Sequence, residues 1–587
     1  MSLSQRDFQR CLEHDAFSDA DRALGRFIQE RSKPESYWLP LAAALVMRSA
    51  RTGHTYFDLT DSDQLAQQIL PLNIAWPGIA DWEEILRDPE IVGSHDSRNA
   101  PLILESGTHL YLNRYYTHET ELAETILALV HPLESSRLIC DRRPCIAHPA
   151  THRLHEIQIK AIDTALSQRF HIITGGPGTG KTTIAIHYLN TLLHTEALGK
   201  RPRIAAIAPT GKAAARLKES ISQGIERIDT DSKTELLLQQ IECQTIHRLL
   251  GYLPFQTNFR RNERKPLRID ALIIDEASMI DLPLMNRLLK AIPIHCRVLM
   301  LGDADQLASV EVGTAFADLL DAASNASGPI NSIVSRLAKA YRFSDDSSIS
   351  RLCDSIRQGD VEALSSLLDT PRNDFQFHLL SMEKSGNLEA VYQAILERHQ
   401  RITSHTSPEA ALSELSRFMA LSPLRSSPIG TQPINTESFR RITGKKPQDI
   451  NETYHGAPII ITENDYDQEL FNGDLGLVWQ PTPKRPPKAF FLRDGNAKGH
   501  ALSSIPRYEL ANAMTIHKSQ GSEFDTVAVI FEHTDPRFLT RELLYTAISR
   551  AKKNLMLLGR KNVIAESIVN RVSRATSLSK RLANLER

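Results

Sequence analysis

Four short apolar runs, FHIIT at 170–174, RIAAIA at 203–208, ALIID at 271–275 and RVLMLG at 297–302, carry hydrophobic side chains at consecutive rather than alternate positions. A strand covered on one face alternates polar and apolar residues. A strand covered on both faces does not, so these runs predict parallel strands with helices packed above and below. Each is followed by a turn and a helical stretch, the βα alternation of an α/β domain. A second set, FMALSP at 418–423, DTVAVIF at 525–531 and NLMLLG at 554–559, predicts another such domain, and the small-residue stretch DAASNASGPINS at 321–332 separates the two. Residues 454–480 and FFLRDG at 490–495 read as short antiparallel β structure beside the proline-rich PTPKRPPK.

Upstream the pattern is different. The N-terminal part reads as mainly helical, with an apolar stretch around Leu39 to Met47, followed by an extended segment in which Leu102, Leu104, Leu110 and Leu112 sit among turn formers. Pro132, Pro144 and Pro149 then interrupt a charged stretch, as expected of a linker, because proline removes a backbone donor and disfavours helix in the residue before it. The organisation predicted is α/β: an N-terminal domain over 1–120, a linker over 121–152, one α/β domain over 153–330, and a second over 331–587 with a β insertion at about 445–510.

Composition narrows the class. The 587 residues contain 69 Lys and Arg against 70 Asp and Glu, so any nucleic-acid contact must come from local clustering. Residues 1–120 hold 11 of the basic and 18 of the acidic residues, which makes this part a poor DNA platform. Six cysteines (Cys11, Cys140, Cys145, Cys243, Cys296 and Cys353) lack framework spacing, which predicts reduced thiols and a cytoplasmic setting. The apolar run Ser36 to Met47, 12 uncharged residues, falls short of the ~20 residues of a membrane helix, so no membrane role is expected. Cys140, Cys145, His148, His152 and His155 cluster, but two consecutive short gaps and two prolines do not make a zinc framework.

The chemistry begins at Gly175-Gly176-Pro177-Gly178-Thr179-Gly180-Lys181-Thr182, with Thr183 next, between a predicted strand and a predicted helix. This context makes the match a P-loop: backbone N–H groups and the helix N-terminus cradle phosphates, Lys181 supplies a point charge, and the Thr182 hydroxyl suits Mg²⁺. ATP and Mg²⁺ are the implied substrate and ion. Downstream, the strand ALII ends in Asp275 and Glu276, the first placed to hold Mg²⁺ and the second to polarise an attacking water. The strand RVLMLG delivers Asp303-Ala304-Asp305-Gln306, whose neutral amide can sense a γ-phosphate. Outside these motifs there is no carboxylate and lysine cluster that would make a nuclease centre, so strand cleavage would belong to a partner.

The order GGPGTGKT, APTGKAAARL, TIHRLLG, LIIDEASM, GDADQL, YRF, AMTIHKSQGSEFD and ELLYTAISRAKK resembles superfamily 1 helicases, and within them the RecD family, the α subunits of RecBCD exodeoxyribonuclease V. The resemblance covers nearly the whole chain. It implies two RecA-like P-loop NTPase domains, an SH3-like character for the insertion, and a 5′ to 3′ ATP-driven DNA helicase with RecB and RecC as partners. RecC would be met by the N-terminal region, and the work would be unwinding duplex ends for double-strand break repair and degradation of linear DNA. The resemblance also places arginine fingers at Arg342 and Arg550, an adenine-reading glutamine at Gln158 and an interface glutamine at Gln520. By motif position, Pro209, Thr210, Lys212, Thr245, His247, Asn472, Thr515 and His517 are candidates for DNA contact, on the edge of each sheet opposite the nucleotide. The basic run of Arg260, Arg261, Arg264, Lys265 and Arg268, within a small hairpin at about 252–268, reads either as a DNA contact near strand separation or as a solvated face. A stand-alone RecD-like or Pif1-like helicase and a non-translocating, DNA-stimulated ATPase share these motifs.

Overall fold

The computed structural model describes residues 3–585, apart from 33–36, 61–68, 70–74, 96, 98, 131–153, 195–197, 200, 229, 254–257, 326–327, 339–346, 371, 381–387, 449–451, 466, 481, 483–485, 494–495 and 533–538. The Cys140 and Cys145 cluster and Arg342 lie outside the described residues.

In the N-terminal domain, helices such as Trp38–Arg51 pack on a four-stranded sheet. Its strands are β1 (Tyr56–Asp58), β2 (Val92–Gly93), β3 (Leu102–Glu105) and β4 (His109–Leu112), in the order β1-β4-β3-β2. The extended segment read from the sequence is the β3–β4 hairpin.

The next sheet contains β5 (Phe170–Gly175), β6 (Ile204–Ala208), β7 (Glu242–Thr245), β8 (Ala271–Ile274), β9 (Arg297–Gly302) and β10 (Val334–Leu337), all parallel, in the order β10-β5-β9-β8-β6-β7. Alternate residues of the central strands enter two different cores. Phe170, Ile172, Leu272, Ile274, Val298 and Met300 face one layer of helices. Ile173, Ala271, Ile273, Leu299 and Leu301 face the other. Both faces are dry, hence the unbroken apolar runs. Each buried Ile, Leu or Val contributes roughly 1.5–3 kcal/mol, which pins the strand ends in place.

The second parallel sheet is β11-β20-β19-β12-β18. It opens with β11 (Phe375–Leu379) and β12 (Phe418–Ser422), and an insertion follows: β13 (Pro458–Ile461), β14 (Leu475–Trp479), β15 (Lys488–Arg493), β16 (Asn496–Ala501) and β17 (Tyr508–Leu510). The chain then returns through β18 (Ala513–Thr515), β19 (Phe524–Ile530) and β20 (Ala551–Gly559). The insertion is an antiparallel sheet ordered β16-β15-β14-β13-β17, and no pairing between β16 and β17 closes it into a barrel among the described residues, so its SH3-like character is not established.

Three boundaries differ from the sequence-based expectation. Residues 121–130 are not linker: the helix Asn113–Val130 runs through them, and its Leu122, Ala123, Ile126 and Leu129 fill the core of the first parallel domain. That domain does not stop at 330, because β10 pairs with β5 as its edge strand. The chain end does not stay with the second domain either: the helix Leu578–Leu585 packs on Asn113–Val130 and on Ala315–Asn325, with Leu578 and Leu582 in the first domain's core. Prolines and small residues marked breaks in local pattern, whereas these units are defined by tertiary packing. The segment at 252–268 is held by two isolated bridges, Tyr252 with Phe259 and Asn262 with Lys265.

Candidate active site

β5 ends at Gly175 and the helix Lys181–His194 starts six residues later, so the glycine loop turns at the carboxyl edge of the sheet. Gly180 has φ +85°, and a Cβ there would lie 2.6 Å from Gln158 Nε2, so the position demands glycine on both counts. Gln158 is buried. Its Oε1 accepts from the His155 N–H at 3.1 Å, and its Nε2 donates to the Thr179 carbonyl at 3.0 Å, which ties the preceding helix to the loop. Lys181 Nζ donates to the carbonyls of Gly175 and Gly176 at 2.5 and 3.1 Å. Its charge is therefore already held over the loop, beside the unpaired N–H groups of a helix start.

Asp275 and Glu276 leave β8 at the same edge. Burial, helped by the Glu276 charge, pushes the Asp275 carboxyl above the usual carboxylate range. Glu276 adopts φ 52°, ψ 40°, a left-handed backbone that costs a non-glycine residue about 1 kcal/mol or more. Thr182 and Asp275 offer a hydroxyl and a carboxylate, the hard oxygen donors that Mg²⁺ prefers, and a divalent cation would relieve the crowding of two adjacent acids. Among the described residues no three His, Cys, Asp or Glu gather into a metal cage.

The second domain completes the site. Arg550 precedes β20 at the amino edge of its sheet and is 3% exposed. Its guanidinium donates to Gln306 Oε1 at 2.7 Å, to the Thr546 carbonyl at 3.0 Å and to the Ser522 carbonyl at 3.4 Å. Gln306 Nε2 in turn donates to Asp303 at 2.8 Å, and the Tyr545 hydroxyl reaches the same carboxylate at 3.3 Å. The Leu307 N–H donates to Thr546 Oγ1 at 3.0 Å, and Gln520 Nε2 to the Leu307 carbonyl at 3.5 Å. The carboxyl edge of one sheet thus faces the amino edge of the other across a cavity of about 260 Å³. Gly178 to Thr183, Asp275, Glu276 and Gln306 line one bank, and Gly521, Glu523 and Arg550 the other.

Arg216, on the helix Gly211–Ile225, lies in this cavity and escaped the sequence reading although it belongs to APTGKAAARL. It pairs with Glu523 of the second domain and donates to the Gly521 carbonyl at 2.7 Å. Despite desolvation, the Glu523 carboxylate holds its guanidinium above the ordinary value. Tyr545 was missed as well. Neither residue carries a local signal, since an arginine in a helix or a tyrosine in ELLYTAIS is commonplace.

The candidate DNA residues divide differently from expectation. Pro209 and Thr210 follow β6, and Thr245 ends β7, so they sit on the same carboxyl edge as the P-loop, displaced sideways, and not on the opposite edge. Thr210 and Thr245 also cap the helices that follow them, accepting from Ala213 and Arg248 N–H groups. Lys212 is bound at the seam, donating to the Gly473 carbonyl at 2.9 Å and to Ser522 Oγ; burial lowers it to about 8. His247 is exposed and meets the rings of Tyr252 and Phe259 edge-on. Asn472 is exposed at the turn before β14, its N–H held by Asn464 Oδ1 at 2.8 Å. Thr515 ends β18, its hydroxyl accepts from the Lys518 N–H, and His517 is exposed beyond it. A groove of about 870 Å³ between the helix Gly211–Ile225, β7 and the insertion brings Lys212 and Thr245 together with Arg248, Phe471, Arg493 and Lys552. Arg260, Arg264, Lys265 and Arg268 are exposed and Arg261 half-buried, over buried Phe259, Leu267 and Ile269.

Comparison with known proteins matches three families. Residues 13–111 match the N-terminal domain of RecBCD enzyme subunit RecD, 158–312 an AAA domain, and 510–558 a UvrD-like helicase C-terminal domain. RecBCD enzyme subunit RecD of Mycolicibacterium smegmatis is 34% identical over 92% of this chain and 93% of its own. That of Haemophilus influenzae is 31% identical over 91% and 89%. The ATP-dependent RecD2 DNA helicase of Deinococcus radiodurans is 30% identical over 69% of this chain and 49% of its own. Among solved structures, Bacteroides Pif1 bound to single-stranded DNA covers 70% of this chain and 94% of its own, at 19% identity and a TM-score of 0.39.

Proposed function

Since this chain belongs to the RecD family of RecBCD enzyme subunits, we propose that it is the ATP-driven DNA helicase subunit of such a complex, moving 5′ to 3′ along one strand of a duplex end. RecB and RecC are the partners of this reading, with the acidic N-terminal domain as the RecC-docking part. No helix of the described residues is long and apolar enough to cross a membrane.

One observation supports the motor most directly: Arg550 of the second domain is buried 2.7 Å from Gln306 of the first, inside one cavity lined by both. A residue that reaches across a seam into a phosphate site can stabilise γ-phosphate charge only when the seam is closed. In this mechanism the P-loop N–H groups and Lys181 bind the triphosphate, and Thr182 and Asp275 would hold the Mg²⁺ that neutralises phosphate charge. Glu276 accepts a proton from the attacking water as its oxygen bonds to the γ-phosphorus and the β–γ bridge breaks. Arg550, with Gln306 orienting it, steadies the charge that develops. Arg342 is the second guanidinium of the reading. Loss of the γ-phosphate removes what both banks share, so the domains separate and the grip on DNA shifts between the groove beside Lys212 and Thr245 and the loops bearing Asn472, Thr515 and His517.

The test is ATP hydrolysis and unwinding of 5′- and 3′-tailed duplexes by the wild type and Lys181→Gln, alone and after co-purification with partner subunits. The expected result is DNA-stimulated hydrolysis, displacement from the 5′-tailed substrate, and loss of both in the variant with the fold retained. Hydrolysis undiminished in Lys181→Gln would sink the assignment, and hydrolysis without displacement would favour a non-translocating ATPase.

A further inference from the structure

The Gln306 loop does not end in the ATPase. Three residues on, the carbonyls of Ser309, Glu311 and Gly313 accept from one guanidinium, that of Arg574, at 2.7, 2.7 and 2.9 Å. Val312, between them, is buried in the hydrophobic core of the N-terminal domain, and the Gly313 N–H donates to the Gly53 carbonyl at 2.9 Å. Gly53 is the close neighbour of the clamp: a Cβ there would lie 2.6 Å from Arg574 Nε.

The segment carrying Arg574 touches every domain in turn. Asn570 and Val572 bind the helix Arg541–Ile548, the Arg541 N–H donating to the Asn570 carbonyl at 2.9 Å and the Val572 N–H to Glu542 at 3.2 Å. Ala575 then exchanges hydrogen bonds with the N-terminal domain: its N–H donates to His54 Nδ1 at 3.0 Å and its carbonyl accepts from the Thr55 N–H at 2.9 Å. Ser577 and Arg581 end on Glu119. The helix gripped at Glu542 also holds Thr546, whose hydroxyl takes the Leu307 N–H and whose carbonyl takes Arg550. Three residues of chain span about 10 Å at most, so fixing Ser309 to Gly313 restricts where Gln306 can stand.

We propose that Arg574 is a positioning residue for Gln306, and that through this clamp the seating of the N-terminal domain sets how Gln306 and Arg550 meet at the nucleotide. The proposal rests on the ATPase reading of the seam.

Its test is a double-mutant cycle on the full chain, measuring kcat and KM for ATP with saturating single-stranded DNA in the wild type, Arg574→Ala, Gln306→Ala and the double variant, with Lys181→Gln as blank. The expected result is a fall in kcat of about tenfold for Arg574→Ala with KM within about twofold, partial recovery in Arg574→Lys, and a double variant no slower than Gln306→Ala. Losses that multiply in the double variant, or an unchanged kcat in Arg574→Ala, overturn it. Should Arg574→Ala fail to fold, Val312→Ala loosens the same loop and is read against Gln306→Ala in the same way. Hydrolysis surviving in Lys181→Gln would instead indict the ATPase reading itself.

Discussion

Two of the places where this molecule buries charge do so to different ends. At the seam, Arg550 is held by neutral oxygens beside a cavity of about 260 Å³, and Asp275 and Glu276 crowd each other across from it. Beneath the N-terminal domain, Glu119 is fully buried but saturated. Thr55 and the Ser577 N–H donate to one oxygen at 2.7 and 3.0 Å, and Arg581 reaches the other at 3.3 Å while pairing with Glu105 at 2.8 Å. Burial raises the Glu119 carboxyl and the Arg581 charge opposes it, while against its own desolvation Arg581 is held above its ordinary value by the acidic groups around it. A buried charge with space beside it waits for a ligand; one whose acceptors are filled is a fastening.

The sharpest way to break this contrast is Glu276→Gln. At the seam it should cut kcat by about 10²- to 10⁴-fold while nucleotide binding and the unfolding midpoint hold, since only proton acceptance is lost. A midpoint that falls with activity would make the seam another fastening. The opposite outcome is expected of Arg581→Ala, which strands Glu119: unfolding by urea should lose about 3–5 kcal/mol, with the kcat of the surviving folded fraction changed far less. Replacing Arg581 and Glu119 together with apolar residues of similar size should restore much of that loss.

A smaller effect separates the two regions by pH. Asp318, on the helix Ala315–Asn325, accepts from Thr314 and Thr576 at 3.1 and 2.8 Å, and burial pushes its carboxyl up to about 7. Its native value lies above the unfolded one, so the native state binds the extra proton. Its contribution is full below about pH 4 and is lost as pH rises toward 7, for a total of at most a few kcal/mol. Asp318→Asn keeps an oxygen for both hydroxyls and should flatten that stretch of the stability profile, measured by urea unfolding between pH 4 and 8. An unchanged slope would show that Asp318 titrates normally.

What could be read in the linear chain and what could not follows the same division. The P-loop, Asp275–Glu276 and Gln306 were legible because each is a short contiguous run on a strand whose apolar pattern announces it, and the motif and its strand-end context occur together. Arg550 was legible only through resemblance, because its acceptor Gln306 is 244 residues away. Arg216, Tyr545 and Arg574 were not legible at all, and Arg574 grips carbonyls up to 265 residues distant, a target that offers no side chain to recognise.

The sequence by itself determined the two parallel sheets, the strand ends that carry the candidate phosphate site and the acidic character of the N-terminal part, because local periodicity and contiguous motifs encode what neighbours along the chain must do. Only the tertiary structure decided that the helix Asn113–Val130 and the last helix share a core with the first parallel domain, and that both DNA-candidate and nucleotide loops occupy one edge of its sheet. It also decided that a guanidinium near the chain end holds the loop behind Gln306. Contacts between segments hundreds of residues apart are made by shape and burial on folding, and no period along the chain records them.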